Sequence, residues 1–462
     1  MANRTHFIGI GGAGMSAIAH VMHHRGELVC GSDQKASATT ERLAAEGIRL
    51  SIGHDPSNVE GASLVVYSAA VPEDNVELSA ARLLGIPTLS RAEMLGRLMA
   101  PYRHRVAITG THGKTTTTSM VGLVLAEAGL DPTVLIGGDL EVLGGNARVG
   151  GESLFVTEAC EAFNSFLELR PSIAVITNID ADHLDYHGSI ENIVRSFGRF
   201  IEQVDGDGCI VGCVDDPNVR RVLQDTDRRV VGYSLEGEGD VRAEDVSIAA
   251  PMASYELVRS GEALGRVTLG VPGLHNVANS LAAAAVAFEL GADLEAVRRA
   301  FLRFKGTGRR FELLGILGDV MVVDDYAHHP REIQATLAAA RAGWRRRLVV
   351  IFQPHLYSRT RTFAREFAEA LSAADLVIVT DIYAAREKPI EGVSSRAISD
   401  AVTGVEVHHI PDKSKIAGFL LSRVRPGDMV ITLGAGDIRS VGEELVEALT
   451  AAQPREVLTG GK

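Results

Sequence analysis

Residues 106–118 (VAITGTHGKTTTT) constrain the fold more than any other stretch of the chain. They read as a buried strand, a glycine-rich turn and a helix that starts near Lys114 and ends at about Ala128. Small residues let backbone N–H groups converge on phosphate oxygens, and the helix N-terminus adds positive potential. Lys114 can reach the outer phosphates of a nucleotide, and Thr115 can offer its hydroxyl to Mg²⁺. The stretch therefore predicts a phosphate-binding loop, which begins at Gly110 and is shorter than the usual P-loop pattern.

Length and composition indicate a globular protein of several domains. At roughly 150 residues per domain, 462 residues suggest about three domains. The net charge of −13 argues against nucleic acid as the main partner, because phosphate backbones attract basic surfaces. No apolar run approaches the ~20 residues of a membrane span, and the glycine-broken N-terminus is not typical of a signal peptide. The scattered cysteines favour structural thiols in a reducing, cytoplasmic location; they are Cys30, Cys160, Cys209 and Cys213.

A second glycine-rich loop lies near the N-terminus. A strand predicted over residues 5–10 leads into residues 9–16 (GIGGAGMS), which match G-x-G-x-x-G at a strand-to-helix position. The next strand ends in Asp33, and a later strand over residues 63–71 carries Ser68 into a small-residue turn. Such turns lie at the carboxyl ends of parallel strands, where ligands bind. The motif predicts backbone amides that face a pyrophosphate, but it leaves a nicotinamide dinucleotide and another nucleotide equally open.

Polar side chains follow two strands in the region after the phosphate-binding loop. A short apolar strand over residues 153–157 delivers Glu158, and the next strand, residues 172–179, leads to His183. A carboxylate at a strand end beside a phosphate loop is well placed to hold Mg²⁺, directly or through water. Glu158 and His183 are therefore predicted to serve a metal and phosphate site. For Glu161 a functional and a structural role are both open.

The same region ends in alternating strands and an alanine-rich helix. Residues 240–271 alternate apolar and polar positions, which predicts antiparallel hairpins. The helix predicted after Gly273 carries Asn276 and Asn279 near its start. The two residues share one face of the helix because they are three residues apart. Their amide groups could read a purine edge, and Asn276 could instead cap the helix. The residues alone leave these two readings open.

A third alternation of strands and helices follows the glycines of residues 306–308, which predict a hinge. Strands are predicted over residues 320–323, 347–352, 376–380, 405–410 and 429–433. Residues 324–330 (DDYAHHP) follow the first of these strands, and Pro330 suits the first position of a helix. Arg359 and Arg361 follow the second strand. They could pair with a carboxylate or phosphate, or form a surface ion-pair cluster.

Together and in this order, these motifs resemble the Mur ligase family over nearly the whole chain. The segments that carry the resemblance are residues 6–16 (HFIGIGGAGMS), 110–116 (GTHGKTT), 177–183 (TNIDADH), 275–279 (HNVAN), 308–312 (GRRFE), 324–330 (DDYAHHP) and 352–355 (FQPH). Each segment alone is a weak or moderate signal, whereas the set is highly specific.

The resemblance implies an α/β fold of three domains. An N-terminal Rossmann-like domain over residues 1–102 is expected to bind UDP. A central P-loop α/β domain over residues 103–307, with an antiparallel hairpin region, is expected to bind ATP. A C-terminal Rossmann-like α/β domain over residues 308–462 is expected to bind the amino acid.

The resemblance also implies an amide-forming ligase that uses ATP and Mg²⁺. In this family the first glycine loop binds the diphosphate of a UDP-sugar rather than a nicotinamide dinucleotide. The implied substrates are UDP-N-acetylmuramate and L-alanine, which are joined through an acyl phosphate. The alternative is the recycling ligase that attaches a whole tripeptide to the same UDP-sugar. We expect a monomer or homodimer with neither nucleic acid nor a membrane as partner.

Individual residues receive roles from the same resemblance. The residues expected to bind ATP are Gly110, Thr111, His112, Gly113, Lys114, Thr115, Thr116, Asn276, Asn279 and Arg309. The residues expected to bind the UDP-sugar are Gly9, Gly11, Gly12, Ala13, Gly14, Met15, Ser16, Asp33 and Ser68. The expected metal ligands are Thr115, Glu158 and His183, and the expected catalytic residues are Lys114, His183, His328 and Arg359.

Two departures from the family pattern concern the metal site. Many relatives carry an aspartate-containing run after the first glutamate, where this chain has Cys160, which leaves a second metal carboxylate to Glu161. Several relatives use a carbamoylated lysine downstream of the metal histidine, but the chain has no lysine between Lys114 and Lys305. A second metal would therefore be held in another way.

Overall fold

The computed structural model describes residues 3–140, 145–385 and 387–452. In these ranges the strands form three sheets of five, ten and six strands. The chain divides into two compact units. The first comprises Met1–Ser247, Ala253–Val271 and His275–Thr307, and the second comprises Ile248–Met252, Pro272–Leu274 and Gly308–Lys462.

The N-terminal sheet is parallel throughout, with helices between its strands. The elements in chain order are β1 (Arg4–Ile8), α1 (Ala13–His24), β2 (Leu28–Asp33), α2 (Ala38–Ala45), β3 (Arg49–Ile52), β4 (Leu64–Tyr67), α3 (Val76–Leu83), β5 (Thr88–Ser90) and α4 (Arg91–Met99). The strand order is β3-β2-β1-β4-β5. The order reverses at β1, so the loop after β1 opens at the crevice where ligands bind in doubly wound sheets.

The middle sheet begins with the strand that precedes the phosphate-binding loop. Its first half contains β6 (His104–Thr109), α5 (Lys114–Glu127), β7 (Thr133–Leu140), β8 (Gly145–Arg148), β9 (Leu154–Glu158), β10 (Ile173–Ile176), α6 (Leu184–His187) and α7 (Ile190–Ile201). Its second half contains β11 (Cys209–Cys213), α8 (Pro217–Gln224), β12 (Arg229–Ser234), β13 (Val241–Ala249), β14 (Met252–Arg259), β15 (Glu262–Leu269), α9 (Leu274–Glu289) and α10 (Leu294–Arg303). The strand order is β15-β14-β13-β12-β11-β10-β6-β9-β7-β8, so β6 lies between β10 and β9.

The C-terminal sheet is parallel except for its first strand. Its elements are β16 (Glu312–Leu317), β17 (Val320–Asp325), α11 (Pro330–Gly343), β18 (Arg347–Phe352), α12 (Tyr357–Leu371), β19 (Leu376–Val379), α13 (Arg396–Ser399), β20 (Glu406–His409), α14 (Ile416–Leu421), β21 (Asp428–Leu433) and α15 (Arg439–Ala452). The strand order is β16-β17-β21-β18-β19-β20, and β16 runs antiparallel to β17. Pro330 occupies the first position of α11, as predicted.

One apolar core joins the N-terminal sheet to the middle sheet within the first unit. Ile18 of α1 and Leu98 of α4 belong to the same buried cluster as Phe155 of β9 and Phe166. Burial of apolar surface is the main stabilising term of a fold, at roughly 25 cal/mol per Å². The two sheets therefore stabilise each other, and loops at their edges have a common support.

Most predicted elements are present, and the differences have simple causes. The strand predicted over residues 63–71 ends at Tyr67, and the strand predicted over residues 172–179 ends at Ile176. Seven strands have no counterpart among the predictions, namely β3, β5, β7, β8, β11, β12 and β16. Glycines interrupt the apolar patterns of β7, β8 and β16. The capping reading of Asn276 is wrong, because α9 begins at Leu274 and Asn276 is its third residue. The four cysteines are free thiols, and burial raises the pKa of Cys209 to about 11.

Candidate functional site

The middle glycine loop, residues 110–113, connects β6 to the N-terminus of α5. Gly110 has φ +133° and Gly113 has φ +83°, a backbone region that residues with a side chain rarely adopt. A Cβ atom on Gly113 would lie 2.5 Å from Oδ1 of Asn279, and one on Gly110 would overlap the Thr177 hydroxyl. Both glycines are therefore required by conformation and by close packing.

The residues that follow β10 hold this loop in shape. Thr177 Oγ1 donates to the His112 carbonyl at 2.6 Å, and Asn178 Oδ1 accepts from the His112 backbone N–H at 2.8 Å. The Thr111 N–H donates to the Asn178 carbonyl at 3.0 Å, and Thr111 Oγ1 accepts from the Asp180 N–H at 2.8 Å. The N–H groups of Thr111 and His112, the second and third residues of the loop, are therefore engaged by protein. The N–H groups at the start of α5, which have no intrahelical acceptor, are the ones suited to phosphate.

Lys114 is the first residue of α5, and four oxygens surround its ammonium group. Nζ donates to the two carboxylate oxygens of Glu161 at 3.0 and 2.8 Å and to the Thr111 carbonyl at 3.1 Å, and it also bonds the Gly110 carbonyl. Glu161 is only 4% exposed, so solvent screens this pair weakly. Burial lowers the pKa of Lys114, but the Glu161 carboxylate outweighs that effect and the pKa is raised. Lys114 is thus held charged beside the loop, with Glu161 as its counter-ion.

Glu158 ends β9, the strand next to β6. It lies opposite Ile108 in the strand register, and its Oε1 accepts from the Gly137 N–H at 2.6 Å. A Cβ atom on Gly137 would lie 2.7 Å from Glu158 Oε2, so glycine there leaves room for the carboxylate. Thr115 is half-buried in the first turn of α5, and Thr116 beside it is buried. A carboxylate and a hydroxyl near a phosphate loop form the hard-oxygen donor set that Mg²⁺ prefers.

His183 lies directly before α6, in the segment that follows β10. Its backbone has φ +51°, which is uncommon for a residue with a side chain. Its N–H donates to Asp182 Oδ1 at 2.8 Å, and its ring Nε2 lies 3.9 Å from Asp182 Oδ2. The structure therefore brings His183 to the sheet edge that carries the middle glycine loop. Its metal role stays a prediction.

Asn276 and Asn279 are both buried in the first turns of α9. Asn279 Oδ1 accepts from Thr117 Oγ1 at 3.2 Å and faces the site where Gly113 lacks a side chain. Asn279 therefore packs the start of α9 against the start of α5. The purine-reading role of the two asparagines stays a prediction.

The N-terminal glycine loop, residues 9–14, is held by the strand beside it. The N–H groups of Gly9 and Ile10 donate to the Ser32 carbonyl at 2.9 and 3.0 Å. The Gly11 N–H donates to Asp33 Oδ2 at 2.9 Å. Asp33 therefore supports the loop backbone, whatever else it contacts.

The start of α1 presents an electropositive end to this loop. Gly12 stands at the N-cap position with φ −66°, and in the part of the chain described no side chain caps the helix there. A Cβ atom on Gly14 would lie 2.9 Å from Nη1 of Arg91, so this guanidinium lies against the first turn. Met15 is buried and anchors the turn in the core. An open helix N-terminus beside an arginine favours an anion.

Two further contacts complete the surroundings of the N-terminal glycine loop. Asn146 of β8 donates through Nδ2 to the Ala13 carbonyl at 2.9 Å and to Ser16 Oγ at 3.0 Å. Ser68 follows β4, and its Cβ would lie 3.6 Å from a Cβ atom on Gly9. The predicted UDP-sugar residues therefore do converge on one loop. Asn146 was missed, because only folding brings β8 to α1.

In the second unit, Arg309 is engaged by its own domain. Its Nε donates to Asp324 Oδ2 at 2.9 Å, and its Nη1 and Nη2 donate to the carbonyls of Gly436 and Gly434 at 3.0 and 2.8 Å. The guanidinium thereby joins the end of β17 to the loop after β21. Its predicted contact with ATP stays a prediction.

His328 and Arg359 both contact His355, which follows β18. The ring centroids of His328 and His355 are 5.8 Å apart, and Arg359 Nη1 lies 3.5 Å from His355 Nδ1. His328 Nδ1 also lies 2.9 Å from the Tyr326 carbonyl. Arg359 is 7% exposed, so the surface ion-pair reading is wrong for this residue, whereas Arg361 is exposed. The two predicted catalytic residues of this unit thus share one cluster.

The first unit thus carries two glycine-rich strand–loop–helix segments of different composition. One has a half-buried lysine with acids at or after the end of a neighbouring strand, and the other has an open helix end and an arginine. These features are typical of an α/β nucleotide-binding protein, with one loop suited to phosphoryl transfer and a second loop suited to a diphosphate. Among the residues described, none of the helices is both long and apolar enough to cross a membrane.

Family models match each part of the chain. The Mur ligase family catalytic domain model matches residues 4–103, the Mur ligase middle domain model matches residues 108–287, and the Mur ligase glutamate ligase domain model matches residues 309–436. The chain belongs to the Mur ligase family.

Individual relatives resemble the chain over nearly its whole length. A UDP-N-acetylmuramate–L-alanine ligase from Caldanaerobacter subterraneus subsp. tengcongensis is 47% identical, covering 96% of this chain and 97% of the relative. One from Geotalea daltonii is 48% identical, covering 97% of this chain and 98% of the relative. The solved UDP-N-acetylmuramate-alanine ligase from Thermotoga maritima is 31% identical with a TM-score of 0.84, covering 97% of this chain and all of that one. A murein peptide ligase from Psychrobacter arcticus, 24% identical with a TM-score of 0.73 over 98% of this chain and 100% of that one, shares the fold.

Proposed function

We propose that this protein uses ATP to join L-alanine to the lactyl carboxylate of UDP-N-acetylmuramate. The observation that carries the proposal is the 47–48% identity, over 96–97% of the chain, to relatives named for that activity. The charged Lys114 at the middle glycine loop supports it, because phosphoryl transfer needs a cation at the outer phosphates.

In the proposed mechanism the middle glycine loop binds the ATP phosphates. The N–H groups at the start of α5 cradle the phosphate oxygens, and Lys114 leaves Glu161 to neutralise the γ-phosphoryl group. The substrate carboxylate attacks that group to form an acyl phosphate, and ADP leaves. The amine of L-alanine then attacks the acyl carbon, loses a proton and displaces phosphate. The protein contributes positioning and charge stabilisation.

Mg²⁺ is the metal that the donor set of this site fits. The room that Gly137 leaves around the Glu158 carboxylate, and the hydroxyl of Thr115 at the helix start, suit a hard cation beside phosphate. Thr115, Glu158 and His183 would hold Mg²⁺, which neutralises phosphate charge when bound. Glu161 is paired with Lys114 in this structure and is not among the proposed metal ligands.

The remaining assignments belong to the same proposal. The N-terminal glycine loop, with Asp33 and Ser68, receives the UDP-sugar. The cluster of His328 and Arg359 receives the amino acid and the acyl phosphate, where a buried guanidinium favours an anion. Arg309 acts near ATP by shaping the end of β17. The proposed domains are residues 1–102, 103–307 and 308–462, the last supported by the second compact unit from Gly308 onward.

A cytoplasmic location and a monomeric or homodimeric state complete the proposal. UDP-N-acetylmuramate and ATP both carry phosphates that do not cross membranes unaided, so we place the enzyme in the compartment where both are made. Sedimentation of the purified protein tests the oligomeric state, and a species larger than a dimer would contradict it.

The decisive experiment offers two amine substrates to one enzyme. Phosphate release is measured with ATP, Mg²⁺ and UDP-N-acetylmuramate, with L-alanine in one sample and the tripeptide in the other, and products are weighed by mass spectrometry. We expect release with L-alanine and a product heavier by one alanyl residue. Release with the tripeptide alone would assign the recycling reaction instead, and release in neither sample would refute the proposal.

A further inference from the structure

Glu77 is a fully buried carboxylate in the N-terminal domain, at the start of α3. It is 0% exposed, yet its two oxygens have five nitrogen or oxygen partners. The partners are His6 Nε2 at 2.9 Å, Ser32 Oγ at 2.6 Å, Asn58 Nδ2 at 2.7 Å, the Asp55 N–H at 3.2 Å and His54 Nδ1 at 3.3 Å. A buried charge of this kind is tolerated only when its hydrogen bonds are satisfied.

The network keeps the carboxylate ionised. Burial raises the pKa of Glu77, but hydrogen bonds from His6, Asn58 and Ser32 outweigh it and bring the pKa to about 2. For its partner His6, burial lowers the pKa, but the contacts with Cys30 and Glu77 outweigh burial, so the pKa of His6 is raised. Glu77 is therefore a fixed negative charge, and it accepts hydrogen bonds from several segments of the chain.

One of these donors connects Glu77 to the N-terminal glycine loop. Ser32 gives its hydroxyl to Glu77, and its carbonyl accepts from Gly9 and Ile10, the first residues of the loop. The next residue, Asp33, accepts from the Gly11 N–H, and the Asp33 carbonyl accepts from Gly53. The position of the end of β2 therefore determines the position of the loop amides, and Glu77 holds that end.

Stability alone does not account for such a group. Replacing a buried ionic network with apolar side chains of similar volume is often neutral or stabilising, so stability alone is a weak explanation for a buried carboxylate, and the geometry that it specifies is the alternative. Here every partner lies on β1, at the end of β2 or in the segment after β3, next to the loop that precedes α1. The network surrounds the support of the loop and not the middle of the core.

We propose that Glu77 is a positioning residue that holds Ser32, and through it the N-terminal glycine loop, in the geometry that receives the diphosphate of the nucleotide sugar. The proposal rests on the proposed function for the identity of that ligand. It assigns a role to a residue that does not contact the substrate itself.

The test is the Glu77→Gln variant of the full-length enzyme. Glutamine keeps the shape but presents an amide N–H₂ to donors, so one or more hydrogen bonds is lost. We expect the KM for UDP-N-acetylmuramate to rise about tenfold, with kcat and the KM values for ATP and L-alanine within about twofold of wild type. The matched control is Glu46→Gln, which removes another histidine-paired carboxylate of the same domain, 2.8 Å from His20 Nδ1, and should change none of these constants.

A second variant and a binding measurement keep the outcome decisive. If Glu77→Gln does not fold, Ser32→Ala, which removes one hydroxyl, should raise the same KM by about threefold. A KM for the UDP-sugar that stays at the wild-type value, or a loss shared equally by all three substrates, would overturn the positioning role. Titration calorimetry with UDP-N-acetylmuramate separates the two proposals. Binding without alanyl product would refute the proposed function, and the affinity of Glu77→Gln would still test Glu77.

Discussion

The two glycine loops of the first unit share one plan but differ in what surrounds them. Each loop connects a central parallel strand to a helix and is held by the neighbouring strand, through Ser32 and Asp33 in one case and through Thr177 and Asn178 in the other. The middle loop adds Lys114 with a buried counter-ion. The N-terminal loop adds no lysine and is supported by the Glu77 network.

The difference follows from what each phosphate site is proposed to do. A loop that only binds a diphosphate needs amides in fixed positions, so a rigid support is sufficient. A loop at which a phosphoryl group is transferred also needs a positive charge that interacts more strongly with the transition state than with the ground state. Lys114, held beside the loop by an acid that it can exchange for phosphate, meets that need.

The Lys114→Ala variant tests the difference between the two loops most directly. Because the cation acts on the transferring phosphoryl group, we expect kcat/KM to fall at least about 1,000-fold. UDP-sugar affinity should stay within about threefold of wild type, since the N-terminal loop does not use this residue. Initial rates of phosphate release and calorimetry with the UDP-sugar measure both effects.

The control for this variant is Lys415→Ala, which removes a lysine that is 73% exposed and pairs with Asp412. It should leave rate and affinity unchanged, because exposed ion pairs contribute little. Since Lys114→Ala leaves Glu161 buried without its partner, a melting curve must accompany the assay. Near-normal turnover by a folded Lys114→Ala protein would refute the phosphoryl-transfer role of the middle loop.

The Glu77 network predicts a specific pH dependence of stability. The pKa of Glu77 is lowered from 4.5 to about 2 in the folded protein, so its contribution is present above pH 4.5 and is lost as the pH falls toward 2. A shift of this size corresponds to about 3 kcal/mol at neutral pH. Urea unfolding of wild type and Glu77→Gln should therefore differ most near pH 7, and the difference should shrink on acidification. A difference that is independent of pH would contradict the ionised network.

Adding one methyl group to the N-cap glycine of each helix, Gly113 of α5 or Gly12 of α1, tests the difference in backbone conformation between the two loops. Gly113 has φ +83° and faces Asn279, so Gly113→Ala should cost about 2 kcal/mol of folding free energy through strain and overlap. Gly12 has φ −66° and a Cβ atom there would meet only ordinary contacts, so Gly12→Ala should change folding by less than about 0.5 kcal/mol. Thermal melting compares the two variants directly. Equal destabilisation would show that the left-handed turn of the middle loop is not essential.

The local sequence predicts the two loops well, but it predicts the contacts between distant segments of the chain poorly. The strand, glycine and helix of each loop are adjacent in the chain, so periodicity and glycine spacing predict them, and the helix at Lys114 begins as predicted. The residues predicted for the N-terminal loop also converge there, because they are contiguous or end neighbouring parallel strands.

The supports of the loops could not be predicted in the same way. Glu77 lies in an ordinary amphipathic helix, and only the packing of α3 under β1 brings it to Ser32. Asn146 lies on β8, a strand whose glycine-rich surroundings conceal its pattern. The pairing of Lys114 with Glu161 depends on the side-by-side arrangement of β6 and β9, which no local signal specifies.

The smallest expected effect concerns the counter-ion of Lys114. Glu161 favours the charged form of the lysine, so Glu161→Gln should lower the pKa of Lys114 relative to wild type. Because the ammonium is the form that binds phosphate, the alkaline limit of ATP affinity should move to lower pH in the variant. Calorimetric ATP titrations from neutral to alkaline pH measure this limit in both proteins.

The matched control for that variant is Glu127→Gln, at the other end of α5, where the carboxylate pairs with Arg299 and Arg303. This substitution removes a charge from the same helix without touching Lys114, so its alkaline limit should equal that of wild type. A limit that moves equally in both variants would trace the effect to the net charge of the helix. If the alkaline limit of ATP affinity moves only in Glu161→Gln, the middle loop depends on a lysine whose charge is maintained by a buried acid until phosphate binds. The N-terminal loop has no such lysine, so this result would distinguish the two loops.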